Sequence, residues 1–347
     1  MAMSGTSKLM ERPPMRAVSL AVLVTLSSLG AARAPPEAAA QPRPALALPL
    51  ACQIGRACEI QHYIDRDPGP AVRDYKCGRR SYNGHDGIDI RILDMAAQRA
   101  GVAVLAAAPG RVARLRDGVA DISIKAPGAP SVAGRECGNA VVLDHGSGWE
   151  TQYCHLAKGS VRVKVGDTVA TGTPLAKVGL SGNTEFPHLH FNVRHGGNVV
   201  DPFAPDASSP AACGPQRGLW TAAASRQMSY KAGAILNAGF AGAPVTMNDV
   251  EGGRIAAPGA GSAYVVAYAR GIELELGDTL EIVITGPGGA VLVQDTTKPL
   301  DHDKAQYISL VGKKRPAAGW ARGVYTAQIR VHRRGAVVLR RQVQTRL

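Results

Sequence analysis

Two short motifs in the sequence place histidine and aspartate at spacings that suit a metal ion. In the first, His85 and Asp89 stand four residues apart around Gly87, and we expect this glycine to permit an irregular backbone that turns both side chains toward one point. In the second, His188 and His190 stand two residues apart and share one face of a strand. A catalytic zinc uses three protein ligands and a water. The motifs therefore predict a zinc site.

A third motif, residues 151–156, adds His155, which strand alternation places on the same face as Thr151 and Tyr153. No His-Glu-x-x-His motif occurs, so a glutamate base on a helix is not available. Any single histidine could be a hydrogen-bonded core residue. A purely structural role is less favoured for these histidines because four of them occur in the motifs.

The order of these motifs resembles one family. The pattern H-x-G-x-D, then Y-x-H-L, then G-x-S-G and P-H-L-H-F, between about Tyr82 and Pro202, resembles the lysostaphin-type (LytM-like) zinc metallopeptidases, which cut peptide bridges in peptidoglycan. The resemblance implies a small, two-layered antiparallel β fold with the metal in a groove. It also implies one zinc ion per chain.

The resemblance further assigns roles to five residues. It implies that His85, Asp89 and His190 hold the zinc and that His155 and His188 are the catalytic histidines. A zinc-bound water is a nucleophile at neutral pH, and the two catalytic histidines could accept its proton and stabilise the tetrahedral charge.

Other residues near the motifs receive weaker predictions. We expect His145 to serve strand and turn structure, His195 to be solvated in a hairpin turn, and Asp86 to be a turn residue. Tyr82 and Tyr153 could either line the groove or pack in the core. Nothing in the sequence recommends a role for the three histidines outside the motifs, His62, His302 and His332.

The chain departs from the family pattern beside the last motif. Glu185 and the bulky Phe186 precede Pro187, and we expect them to alter the shape of the substrate subsites without affecting zinc binding. Some relatives have lost metal ligands and act as scaffolds that bind the wall and activate amidases. All five chemical positions are present here, which favours an enzyme over such a scaffold.

The elements that must position these residues are short strands. Glycine (40) and proline (23) are frequent and aromatic residues make up only 5%, a composition typical of strands joined by turns. Residues 117–138 lack periodicity and predict a long loop that flanks a cleft. After Pro210, further strand-like segments predict a smaller, Ig-like β-sandwich. The predicted fold class is all-β, with a signal peptide at 1–40, a linker at 41–50, a LytM-like zinc peptidase domain at 51–213 and an accessory sandwich at 214–347.

The N-terminus and the cysteines predict export. Lys8, Arg12 and Arg16 precede an apolar run that ends in small residues, the pattern of a secretory signal peptide that leaves no membrane span after cleavage. Six cysteines follow, so we expect three disulfides, with Cys52 and Cys58 weakly suggested as one pair. The predicted location is periplasmic or secreted.

The net charge of +13 is concentrated at the C-terminus, where residues 311–347 hold ten Lys or Arg and no Asp or Glu. This feature suits either a solvated strand face or contact with a polyanion. No motif for reading nucleic acid accompanies it, so nucleic acid is not an expected partner. The resemblance to the LytM-like peptidases implies that peptidoglycan is the partner. We expect residues from about 214 onward to be dispensable for hydrolysis of a small soluble peptide.

Overall fold

A computed structural model describes residues 43–207, 209, 212–213 and 217–347, which are almost entirely antiparallel β. The predicted signal peptide lies outside the described residues. The strands are β1 (Cys58–His62), β2 (Ile88–Ile92), β3 (Ala103–Leu105), β4 (Gly110–Arg116), β5 (Asn139–Asp144), β6 (Trp149–Leu156), β7 (Thr168–Val169), β8 (Pro174–Lys177), β9 (His188–His195), β10 (Asn198–Val199), β11 (Ala234–Ala241), β12 (Tyr264–Leu274), β13 (Thr279–Thr285), β14 (Val291–Thr296), β15 (Lys304–Lys314), β16 (Val324–Arg333) and β17 (Ala336–Arg346). The three helices are short: α1 (Met95–Ala100), α2 (Ala222–Gln227) and α3 (Met247–Gly252).

The first half of the chain is built on one large sheet with the strand order β1-β2-β9-β6-β5-β4-β7, and β10 pairs with β9. Strand alternation gives this sheet an apolar face, on which Ile88 and Ile90 of β2 and Leu189 and Phe191 of β9 are fully buried. The two-stranded sheet of β3 and β8 contributes to the same core. The predicted two-layered antiparallel fold is confirmed.

This first core extends at both ends beyond the predicted domain limits. Leu46 and Leu50, in the segment predicted as a linker, are buried and form β-bridges to Trp220 and Val104. The core also takes in residues that follow the predicted boundary at 213, namely Leu219, Trp220, Ala224 and Met228. These apolar side chains are buried because the segments at residues 46–50 and 219–228 both pack against the same core.

The C-terminal part is a sandwich of two sheets, with strand orders β11-β12-β15 and β14-β13-β16-β17. Its core takes residues from both sheets, such as Val265 and Ala267 on β12 and Ile282 and Ile284 on β13. A three-plus-four arrangement with crossovers between the sheets is the Greek-key pattern of Ig-like domains. The expected Ig-like sandwich is therefore observed.

Three disulfides join all six cysteines: Cys52–Cys58, Cys77–Cys213 and Cys137–Cys154. The predicted number and the suggested Cys52–Cys58 pair are confirmed. Within the described part of the chain, none of the helices has the length and apolar character needed to cross a membrane.

Candidate metal centre and catalytic site

Two neighbouring strands, β2 and β9, bring three of the predicted site residues together. In their antiparallel register Asp89 lies opposite His190 and Arg91 lies opposite His188. Since Ile90, Leu189 and Phe191 occupy the core face, these polar residues share the opposite face. Asp89 Oδ1 lies 2.9 Å from His190 Nδ1 and 3.3 Å from His188 Nε2. Strict alternation thus produces the arrangement that the sequence predicted.

His85 joins this group from the loop that precedes β2. Its Nε2 lies 3.1 Å from Asp89 Oδ1 and 3.2 Å from His190 Nδ1. The three residues form a group whose ligand atoms are mutually close enough to hold one metal ion. Ligands held at 2.0–2.1 Å by a tetrahedral zinc are separated by about 3.3 Å. The observed separations fit such an ion.

The reason for Gly87 differs from the one predicted. Gly87 is not among the glycines with positive φ, so no irregular backbone is required of it. A Cβ at this position would instead lie 2.5 Å from His190 Nε2 and 3.0 Å from the Phe191 carbonyl oxygen. Glycine is needed here because the imidazole of His190 packs directly over the backbone.

Hydrogen bonds at the outer nitrogens determine which nitrogen each imidazole presents to the cluster. His85 Nδ1 donates to the Tyr63 carbonyl at 2.7 Å, and His188 Nδ1 donates to the Phe186 carbonyl at 2.9 Å. In the neutral rings, Nε2 is therefore a lone pair that faces Asp89. Lone pairs and a carboxylate directed at one point repel one another unless a cation lies between them. The donor set thus fits a divalent metal ion.

The charges of the cluster shift the pKa values of its members. Burial by itself would raise the pKa of Asp89, but the nearby imidazoles of His85 and His188 hold that pKa well below its usual range. Burial and the neighbouring His188 and His190 hold the pKa of His155 well below its usual range. Asp89 is therefore ionised and His155 neutral at neutral pH.

His155 reaches the site through a β-bulge, which corrects the predicted face. In β6, Cys154 and His155 together oppose the single residue Ala140, and His155 has a φ of 59°. Tyr153 packs on Phe191 in the core, whereas the His155 ring lies 4.7 Å from that of His188 on the opposite face. The predicted face of His155 was wrong because the extra residue of the bulge turns its side chain to the other side of the sheet.

His155 is held in place by the neighbouring chain. Its Nδ1 donates to the Ser181 carbonyl at 2.8 Å, and its backbone N–H donates to the Cys137 carbonyl at 2.8 Å. Nε2 makes no hydrogen bond to the residues that the structure describes. A buried imidazole with one anchored nitrogen and one available lone pair can accept a proton.

The family model described as Peptidase family M23 matches residues 83–202. This segment is an M23, LytM-like peptidase domain. The cell division protein DipM of Caulobacter vibrioides is 40% identical over 68 residues, 20% of this chain and 11% of that protein.

Two further relatives are named for enzymatic activities. The peptidoglycan DD-endopeptidase ShyB of Vibrio cholerae is 39% identical over 69 residues, 20% of this chain and 16% of that protein. The DD-carboxypeptidase/endopeptidase Mpg of Neisseria meningitidis is 33% identical over 111 residues, 32% of this chain and 24% of that protein. The chain spans less than a quarter of the length of these relatives.

Two side chains beside the metal group are functional candidates that the sequence analysis missed. His62, to which no role was assigned, places Nδ1 2.9 Å from Asp89 Oδ2. Asp86, predicted to be a turn residue, lies with Oδ1 3.2 Å from His190 Nε2, and its pKa falls to about 2 chiefly because of that hydrogen bond. Its position beside His85 was the available signal. For His62 the sequence offered none.

The remaining histidines of the M23 domain lie outside the cluster. His145 is hydrogen-bonded to the Pro109 carbonyl and to the Thr151 hydroxyl, as a structural residue would be. His195 is exposed in the hairpin and stacks on Trp149 at 4.3 Å between ring centroids. The structural role predicted for His145 and the solvent exposure predicted for His195 are confirmed. The stacking of His195 on Trp149 was not predicted.

A groove crosses the M23 domain over the cluster. It consists of cavities of about 290 and 400 Å³ that share Tyr82, His155 and Asn183 in their walls. The 117–138 loop contributes Ile124 and Glu136, so its predicted position beside a cleft is confirmed. Tyr82 lines the groove, whereas Tyr153 is buried.

The larger cavity has two further features relevant to specificity. Glu185 and Phe186 both line it, as expected from their position. The Phe186 ring is covered by the guanidinium of Arg91 at 3.8 Å from the centroid, which fixes the ring in place. Ala305 and Gln306 of the C-terminal sandwich also line this cavity.

Proposed function

We propose that the protein is a zinc metalloendopeptidase that hydrolyses peptide cross-links or bridges of peptidoglycan. One observation supports this most strongly: a His-Asp-His metal group and two anchored imidazoles lie together in one groove. A scaffold that only binds the wall would need no such set. We assign His85, Asp89 and His190 as the ligands of one zinc ion.

Zinc held by these ligands would lower the pKa of a bound water and polarise the scissile carbonyl. The side chains around it then handle protons. Nε2 of His155 accepts the proton of the attacking water, since Nδ1 is committed to the Ser181 carbonyl. His188, anchored through Nδ1 to the Phe186 carbonyl, offers its own Nε2 to the developing oxyanion or the leaving amine once protonated.

The substrate class and location rest on different observations. ShyB and Mpg are named for endopeptidase activity, and the groove over the cluster consists of two cavities, of about 290 and 400 Å³, that share wall residues. The three disulfides suit an oxidising compartment. We therefore assign the protein to the periplasm or the secreted fraction, where peptidoglycan is accessible.

Digestion of purified cross-linked peptidoglycan with the zinc-loaded protein, followed by mass analysis of the fragments, tests this proposal. We expect cross-linked fragments to be converted to monomers, with loss of conversion in chelator and recovery on adding zinc. His155→Ala is the matched control, since it should keep the metal but lose the activity. Absence of any new fragment from the zinc-loaded protein would contradict the proposal.

A further inference from the structure

His62 connects the predicted metal ligand Asp89 to the C-terminal sandwich. Its Nδ1 lies 2.9 Å from Asp89 Oδ2, and its Nε2 lies 3.3 Å from Glu273 Oε1 on β12. All three side chains are largely buried, with 12%, 4% and 14% of their surface exposed. Asp89 belongs to the M23 domain, whereas Glu273 lies far along the chain, on strand β12 of the C-terminal sandwich.

We propose that Glu273 is a positioning residue for Asp89, acting through His62, so that the C-terminal sandwich forms part of the metal centre. This inference rests on the proposed zinc site. It adds that the site depends on a residue outside the segment that the family model matches.

The His62 ring is held between two carboxylates. Each of its nitrogens faces a carboxylate oxygen, with Nδ1 hydrogen-bonded to Asp89 and Nε2 3.3 Å from Glu273, so the rotation of the ring is fixed at both ends. Asp89 Oδ2 is then held by His62, which leaves Oδ1 directed at His85 and His190. Partners of this kind, one step removed from a metal, orient its ligands.

The backbone of Glu273 has an unusual conformation. Its φ is 50°, a left-handed conformation that is strained for any residue except glycine. Its neighbours Ile272 and Leu274 remain paired with β15, so the irregularity is confined to this residue. Gln61 Nε2 also donates to Glu273 Oε1 at 3.2 Å. A side chain held this way is directed to one point.

Buried ion pairs close to His62 join the M23 domain to the C-terminal sandwich. The carboxylate of Glu251 on α3 forms ion pairs with both Arg91 and Arg270, whose side chains are fully buried. Arg91 lies two residues after Asp89 on β2, and Arg270 three residues before Glu273 on β12. These ion pairs hold the two strands together, so Glu273 cannot move away from His62 without breaking buried charge pairs.

These contacts bear on the expectation that residues after 214 are dispensable for small substrates. That expectation stays untested, but removal of the sandwich would leave His62 without one of its two carboxylates. We therefore expect weaker metal binding in such a truncation, whatever the size of the substrate.

A double-mutant cycle on the full chain separates positioning from a general interface role. Zinc affinity is measured by competition with a chromophoric chelator for the unmodified protein, His62→Ala, Glu273→Ala and the double variant. We expect His62→Ala to weaken zinc binding by about 10–100-fold, the usual effect of removing such a partner, and Glu273→Ala by a smaller factor, about 3–10-fold. The double variant should match His62→Ala, because Glu273 acts through His62.

Two further variants keep this test decisive. Glu273→Gln retains an oxygen acceptor for His62 and should restore most of the affinity lost in Glu273→Ala. Arg79→Ala removes a 3.3 Å ion pair with Asp303 that joins the same two parts at the surface, and it should bind zinc as the unmodified protein does. The visible spectrum of Co²⁺ in place of zinc should change in Glu273→Ala but not in Arg79→Ala.

The outcomes distinguish this inference from the proposed function. Failure of the unmodified protein to bind zinc would overturn both. Zinc binding that is unaffected by Glu273→Ala, or weakened equally by Glu273→Ala with and without His62, would overturn the inference alone. Equal loss in Arg79→Ala would show a general interface effect and overturn it too. Thermal unfolding in chelator identifies any variant that fails to fold, in which case Glu273→Gln decides.

Discussion

The strands around the metal group position their side chains in two different ways. On β2 and β9, regular alternation places Asp89, His188 and His190 on one face. On β1 and β6, bulges place His62 and His155 on that face, each where two residues oppose one. The regular pair provides a rigid frame for the proposed metal, and the bulged strands bring in imidazoles that alternation would direct elsewhere.

The largest effect is expected on the regular pair. His190→Ala removes a proposed ligand that lies opposite Asp89, so the purified variant should contain no zinc and no measurable activity. Elemental analysis of the protein, together with peptidoglycan digestion, checks this. Zinc retained at about one per chain would remove His190 from the ligand set and weaken the role given to the regular frame.

A bulged residue should show the opposite separation of metal and activity. His155→Ala should retain about one zinc per chain while its rate falls at least about 100-fold, because a positioned acid-base group is lost. Single-turnover digestion and elemental analysis on the same preparation make the measurement. If the metal leaves with His155, the distinction between frame and added imidazoles does not hold.

The frame also depends on the space above Gly87. Gly87→Ala would place a methyl group 2.5 Å from His190 Nε2, so the ring must shift and zinc affinity should fall by about 10–100-fold, as for other ligand misplacements. Gly259→Ala, where a Cβ would meet nothing within 4 Å, is the control and should bind zinc normally. Chelator competition compares the two variants, and equal affinities would contradict the close-packing argument.

The smallest effect concerns the strain of the bulge itself. His155 has a φ of 59°, which costs an alanine about 1–2 kcal/mol that glycine avoids. His155→Gly should therefore be more stable than His155→Ala by up to about 1 kcal/mol, once the greater chain entropy of glycine is subtracted. At Gln152, a regular position of β6, the order should reverse. Chemical denaturation of the four variants with chelator present measures both differences.

The same contrast explains how much the sequence could predict. Alternation around His188 and His190 is a local pattern, and so is the spacing of His85 and Asp89, so this part of the site could be predicted. Bulges leave no such pattern, and the predicted face of His155 was therefore wrong. The role of His62 depends on Asp89, which lies 27 residues away in the sequence, on the neighbouring strand. No local spacing indicates a contact of that kind.

The overall architecture follows a similar division. Turn residues and short apolar segments predicted that both halves of the chain are β domains. The pairs Cys77–Cys213 and Cys137–Cys154 could not be predicted, since they join chain segments brought together only by folding. The burial of Leu46 and Trp220 in one core likewise depends on long-range packing that composition does not report.

The Cys137–Cys154 disulfide has a consequence for how a substrate would bind. It ties the end of the 117–138 loop to the strand residue just before His155, and both cysteines line the smaller cavity. This wall is consequently ordered when the protein folds, and little conformational entropy remains to be lost when a ligand arrives. The peptide is then the more flexible of the two molecules. A peptide that is already held in an extended conformation has less conformational entropy to lose, so it should bind more favourably than a fully flexible one.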